Sequence, residues 1–154
     1  MLAFNRKIDY ALIALWHLGR SPVRVTSARE IAERYKIPLP LLMNILKQLT
    51  RAGIVAGVRG ARGGYRLVVA PDDLSIKRVL LAVEGPMRLV RCADASAEST
   101  DGDPACVRMR WCPVRGSVLK LNAKMGECLD QVSLAEIIKS SKPAEMPASK
   151  SAEG

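Results

Sequence analysis

Four side chains in this sequence hold soft metals or exchange electrons: Cys92, Cys106, Cys112 and Cys128. All four lie in the last 64 residues. In a reducing compartment such a group is metal-binding or redox-active more often than it is a structural disulfide set. No two are spaced as C-x2-C or C-x4-C, the pairs that structural zinc sites favour, and none forms the C-x-x-C of a thiol oxidoreductase. His17 is the only histidine. It sits in an apolar stretch, where a packed or hydrogen-bonded ring is expected rather than a ligand. A small redox enzyme therefore finds little support: no histidine is near the cysteines, and no glycine-rich nucleotide motif is present.

The charge is as uneven as the cysteines. The chain has 154 residues and a net charge of +9. The first 90 residues carry 15 Lys and Arg against 6 Asp and Glu, whereas the last 64 carry 9 of each. A basic module that meets a polyanion is thus joined to a neutral module with another role. Aromatic residues make up only 4%, too few to stack a single strand of bases, so duplex nucleic acid is the better partner. No apolar stretch approaches the ~18 residues of a membrane span, and the start has no secretory-signal pattern, so a cytoplasmic protein without membrane association is expected.

The elements that must position these groups can be read in order. Residues 8–18 are apolar almost all round and predict a helix buried on more than one side. Ser27 to Glu30 reads as a capping box that opens a short helix over about residues 27–36. Pro38 and Pro40 break the chain, and Pro40 fits the first turn of the next helix. That helix has Leu42, Ile45, Leu46 and Leu49 on its buried stripe and Gly53 as its stop. Two short helices with a tight link form a helix-turn-helix pattern. Two β-rich runs follow, 54–58 and 65–69, around the glycine-rich turn of Arg59 and Arg62. This is the wing of a winged helix, whose glycines are expected to allow sharp turning and close approach to DNA. A further amphipathic helix over 76–83 stops at Gly85 and Pro86. Residues 93–105 hold four acids and no large apolar side chain, a solvated loop. From Pro113 onward Val114, Val118, Leu121, Met125, Cys128 and Val132 recur every three or four residues. This seam predicts a long helix that pairs with a second copy of the chain. Ser133 to Glu136 is a second capping box, and the tail from residue 140 has a disordered composition.

From about Phe4 to Ile138 the sequence resembles the IscR/NsrR-type family of small winged-helix regulators. The most specific match is the wing, Gly53, Ile54, Val55, Val58, Arg59, Gly60, Gly63, Gly64 and Tyr65. Tyr10 with Ala11, Glu30 to Ala32 and Ser133 to Ile137 also match. The resemblance implies a homodimer with two DNA-binding heads, a long crossed dimerisation helix and, in sensing members, an iron–sulfur cluster held by three cysteines.

Carried onto this chain, those are Cys92, Cys106 and Cys112, spaced C-x13-C-x5-C. Thiolates suit the cluster because sulfur is a soft donor that stays bound as iron changes redox state. The second gap matches the family; the first is lengthened by the acidic stretch. The family's histidine ligand is replaced by Arg115, which is protonated and a poor donor. Asp9 stands where relatives supply an aspartate from the partner subunit and is the fourth-ligand candidate. Cys128 is a second one, although its place on the apolar seam suits a packed thiol. The cluster type, 2Fe–2S or 4Fe–4S, is left open. So is a clusterless regulator working by a thiol–disulfide switch or by metabolite binding.

The resemblance also implies which residues read DNA. Pro38, Pro40, Met43 and Asn44 occupy base-reading positions, and among them Asn44 alone pairs bidentately with adenine. Lys47, Arg51 and Arg66 add positive charge, and Arg59 and Arg62 reach a groove from the wing. The expected fold is mainly α with a small β-hairpin. Its divisions are a winged helix-turn-helix domain at 1–86, a cysteine-bearing sensor loop at 87–112, a dimerisation helix with a short last helix at 113–139, and the tail at 140–154. The expected function is a non-enzymatic regulator that binds a two-fold double-stranded operator and is controlled by its cysteines.

Overall fold

The computed structural model describes residues 5–88 and 111–141. Six helices and one two-stranded antiparallel hairpin occur among them, in the order α1 (Arg6–Gly19), α2 (Ala28–Tyr35), α3 (Leu39–Arg51), β1 (Val55–Val58), β2 (Gly64–Leu67), α4 (Ile76–Glu84), α5 (Arg115–Gln131) and α6 (Leu134–Ser140). The mainly α winged-helix expectation is met.

Helix α1 buries Ile8, Ala11, Ala14, Leu15 and Leu18, residues spaced over more than one face, and runs through the centre of the head. Helix α2 starts where Ser27 Oγ accepts from the Glu30 backbone N–H at 3.1 Å. Only half of the expected capping box forms there. The Glu30 carboxylate instead accepts from Arg24 at 2.8 Å. At the other end of α2 Lys36 takes a left-handed conformation, φ 54°, that glycine would adopt more cheaply.

Helix α3 buries Leu42, Ile45, Leu46 and Leu49, the expected stripe, so its other face is left to solvent. Its end is a Schellman motif. Gly53, at φ 66°, donates to the Thr50 carbonyl, and Ile54 donates to that of Leu49, both at 3.0 Å. Ile54 and Leu49 are both fully buried, which supplies the apolar contact of that motif.

The hairpin pairs Val55 with Leu67 through Val58 with Gly64, so the wing tip is residues 59–63. Gly60, at φ 129°, permits its turn. Gly64 has a role inside the chain. The backbone of Thr26 pairs with Tyr65 through hydrogen bonds of 2.9 and 2.8 Å, and a Cβ on Gly64 would fall onto the Thr26 carbonyl. This glycine lets a third segment lie against the hairpin.

Helix α6 belongs to the head. Leu134 is fully buried in the main core, and its N–H donates to the Leu74 carbonyl at 2.8 Å. Ile76 donates to Val132 at 2.9 Å, and a Cβ on Gly19 would stand 2.6 Å from Ile138. The sequence division grouped this helix with the long helix before it at 113–139, whereas its packing joins it to the head. The second capping box is complete, with Ser133 and Glu136 bonding reciprocally. Helix α5, by contrast, has no buried residue. It leans on the head through Leu129, which with Val132 just past the helix end meets Ile8, Ile76 and Leu80, and through Asp130, which accepts from Ser75 Oγ at 2.8 Å and Lys77 at 3.3 Å. No helix among the described residues is long and apolar enough to cross a membrane.

Candidate nucleic-acid interface and cysteine region

Because α3 spends its apolar residues on the core, Met43, Asn44, Lys47 and Arg51 are exposed along its free face. They line a groove of about 620 Å³ together with Thr50, Gly57 and Tyr65. One wall is the recognition helix and the other is the wing. Thr50, Gly57 and Tyr65 were not named from sequence as DNA-contacting residues. The signal was available for Tyr65: strand alternation puts it on one face of β2 and Arg66 on the other. Arg66 is accordingly exposed but outside this groove. Pro38 caps α3 and Pro40 sits in its first turn; both are exposed and neither lines the groove. Arg59 and Arg62 are exposed on the wing tip. Helix α3 carries no acidic residue in its first turn, so the positive potential of the groove is unopposed there.

The chemistry-bearing residues of the neutral part are placed less completely. Cys92 and Cys106 lie outside the described residues, as do the acidic stretch 93–105 and the tail from residue 142. Cys112 is a free, half-buried thiol whose carbonyl accepts from the Arg115 N–H at 3.4 Å, at the start of α5. Arg115 is half-buried, and its Nε finds no partner among the described residues. Asp9 is exposed in the first turn of α1, where a carboxylate also favours the helix dipole. No group of three or more His, Cys, Asp or Glu converges among the described residues.

Cys128 is an exposed free thiol within the single chain. With Met125 and Leu129 it lines an open groove of about 650 Å³ against Ile8, Leu80 and Met87. Of the expected seam, Val114 caps α5 and is 57% exposed, Leu121 is 53% exposed, and Val118 and Met125 are half-buried. Val132 departs from the seam, since it packs within its own chain. His17 is held as expected for a packed ring. Its Nδ1 lies 2.9 Å from Tyr35 Oη, and burial, with Arg34 as the next cause, pushes its pKa below the usual 6.5.

Comparison with known proteins agrees with this architecture. The Rrf2 family profile, described as an iron-dependent transcriptional regulator, matches residues 4–140. The chain is 32% identical over 144 residues to an rrf2-like helix-turn-helix-type transcriptional regulator of Rhodobacter capsulatus, covering 91% of this chain and 95% of that one. It is 30% identical over 136 residues to the transcriptional regulator IscR of Aliivibrio salmonicida, covering 88% and 72%. The solved structure of T. potens IscR superposes with a TM-score of 0.69 at 25% identity, over 95% of this chain and 93% of that one. With its helix-turn-helix, glycine-rich wing and closing α6, the chain belongs to the Rrf2 family of transcriptional regulators.

Proposed function

We propose that the protein is a homodimeric repressor or activator that binds a two-fold DNA operator through α3 and the wing, under the control of an iron–sulfur cluster. The observation that carries the DNA reading is the exposed groove of Met43, Asn44, Lys47 and Arg51 against Tyr65, with Arg59 and Arg62 free at its side. Asn44 pairs with a base edge, Lys47 and Arg51 hold phosphates, and Arg59 enters the minor groove. Pro38, Pro40 and Met43 offer apolar contacts to thymine methyls. A two-fold site follows from two heads joined through the exposed side of α5 around Val118, Leu121 and Met125.

The donor chemistry suits such a cluster: Cys92, Cys106 and Cys112 would supply three soft thiolates, and Asp9 from the partner subunit would supply a hard, readily exchanged carboxylate. When bound, the cluster supplies a redox-responsive centre sensitive to oxygen, nitric oxide or iron supply. The chain's own part is transmission. Cys112 stands directly before α5, and α5 bears on α1 and α4 through Leu129, Val132 and Asp130. A change in how Cys112 is held therefore reaches the packing between dimer helix and head.

Two experiments test this. Replacing Arg59 and Arg62 together by Ala should weaken duplex binding at least ~10-fold and lower the salt slope by up to about 2. Unchanged affinity and slope would remove the wing from the interface. Cys106→Ser should abolish the difference in operator affinity between cluster-loaded and cluster-free protein. If wild-type protein binds equally in both states, control by a thiol–disulfide switch or a metabolite takes its place.

A further inference from the structure

A second basic site lies away from the α3 groove, where the end of α1 meets α2. His17, Arg20, Ser21, Arg24, Thr26 and Arg34 line a pocket of about 200 Å³. That is below the 300–1,000 Å³ of sites for organic ligands, yet several times the ~30 Å³ share of a water molecule. The pocket suits a small ion with part of its hydration. Three arginines line it, and among the described residues the only carboxylate bonded to one of them is Glu30, which holds Arg24 at 2.8 Å. Among the described residues Arg20 and Arg34 have no carboxylate partner. Arg20 is held over a ring face, 4.9 Å from the Trp16 ring centre, and Arg34 stands 5.9 Å from that of Tyr35, at the outer limit of such a contact. Stacking occupies the face of a guanidinium and leaves its edge N–H groups free to donate.

We propose that this pocket binds a phosphate group. Arg20 and Arg34 supply fork-shaped donors that match a tetrahedral oxyanion, the hydroxyls of Ser21 and Thr26 add neutral ones, and preorientation of Arg20 by Trp16 reduces the ordering cost. Tyr35 occupies Nδ1 of His17, which leaves Nε2 as the free ring nitrogen. Burial is the main cause of the lowered pKa of His17; Arg34, Arg24 and Arg20 add to it, and Glu30 opposes them. Thr26 also ties the pocket to the wing, because its backbone pairs with Tyr65, a wall of the α3 groove. The phosphate is therefore either a free anion or a phosphodiester of bound duplex, and the second source rests on the DNA reading above.

His17, as the sole histidine, gives a single-residue probe. Its ring resonances are followed by NMR while inorganic phosphate is added at constant ionic strength and pH, with chloride as control. They are then followed with a short DNA duplex. A saturable shift with inorganic phosphate, weakened about tenfold by Arg34→Ala and less by Arg34→Lys, establishes a free-anion site. A shift with duplex alone, lost in Arg34→Ala together with about one unit of salt slope, establishes a backbone phosphodiester contact. Circular dichroism of the exposed-residue variants checks that they fold. No saturable shift with either probe, the same shift with chloride, or equal binding by wild type, Arg20→Ala and Arg34→Ala overturns the proposal. The phosphate arm involves no DNA, so its failure is distinguishable from failure of the operator reading.

Discussion

The head and helix α5 both carry apolar stripes at helical spacing but close differently. In the head, Leu15, Leu18, Ile31, Leu42, Leu46, Leu49 and Leu134 are inaccessible to solvent within one chain. In α5 no residue is buried, and Leu121 stays more than half exposed. A module that completes its own core can present a rigid reading surface. A helix that leaves its apolar side uncovered depends on another surface, and its position is free to respond to what covers it. In the function proposed above, this difference separates reading from regulation within 154 residues.

That contrast makes the sizes of mutational effects predictable. The largest is expected in the head. Leu46→Ala should cost about 2–5 kcal/mol, whatever the protein concentration, as read by urea unfolding. Loss under 1 kcal/mol would mean that the α3 stripe is not closed. In α5, Leu121→Lys should leave the head folded while sedimentation shifts from a two-chain to a one-chain species. A variant that remains two-chain at low micromolar concentration would place the dimer contact elsewhere. Lys36→Gly relieves a left-handed non-glycine and should stabilise the head by about 1 kcal/mol. A smaller effect concerns pH. His17 has a folded pKa below 6.5, so its stabilising contribution is complete above that value and falls as the pH drops below it. In an anion-poor buffer, His17→Gln should flatten this part of the stability profile; an unchanged slope would assign it to another group.

The same contrast explains what the sequence revealed. The α3 stripe, the Gly53 stop and the wing were legible because each is written locally, in a 3.6-residue period or a turn residue. The exposed face of α3 followed from its stripe. The membership of α6 was not legible, since Leu134 is inserted beside Leu74, 60 positions away, and a seven-residue helix does not reveal its partner by period. The split of the Ser27–Glu30 box was hidden for the same reason: Arg24 competes for Glu30 only once the turn has folded. Gly64 looked like a DNA-approach residue, and its packing against Thr26 appears only in three dimensions. Val132 fits the seam's spacing yet packs on Ile76 and Leu80 of its own chain, because it lies past the end of α5.

The central claim is that the neutral half senses through Cys92, Cys106 and Cys112 what the basic half reports to DNA. Its most direct test is the visible absorption spectrum, with iron and acid-labile sulfide content, of protein purified without oxygen. The account predicts a coloured protein with matching iron and sulfide, and a colourless Cys112→Ser variant. Colourless wild-type protein free of both would contradict it.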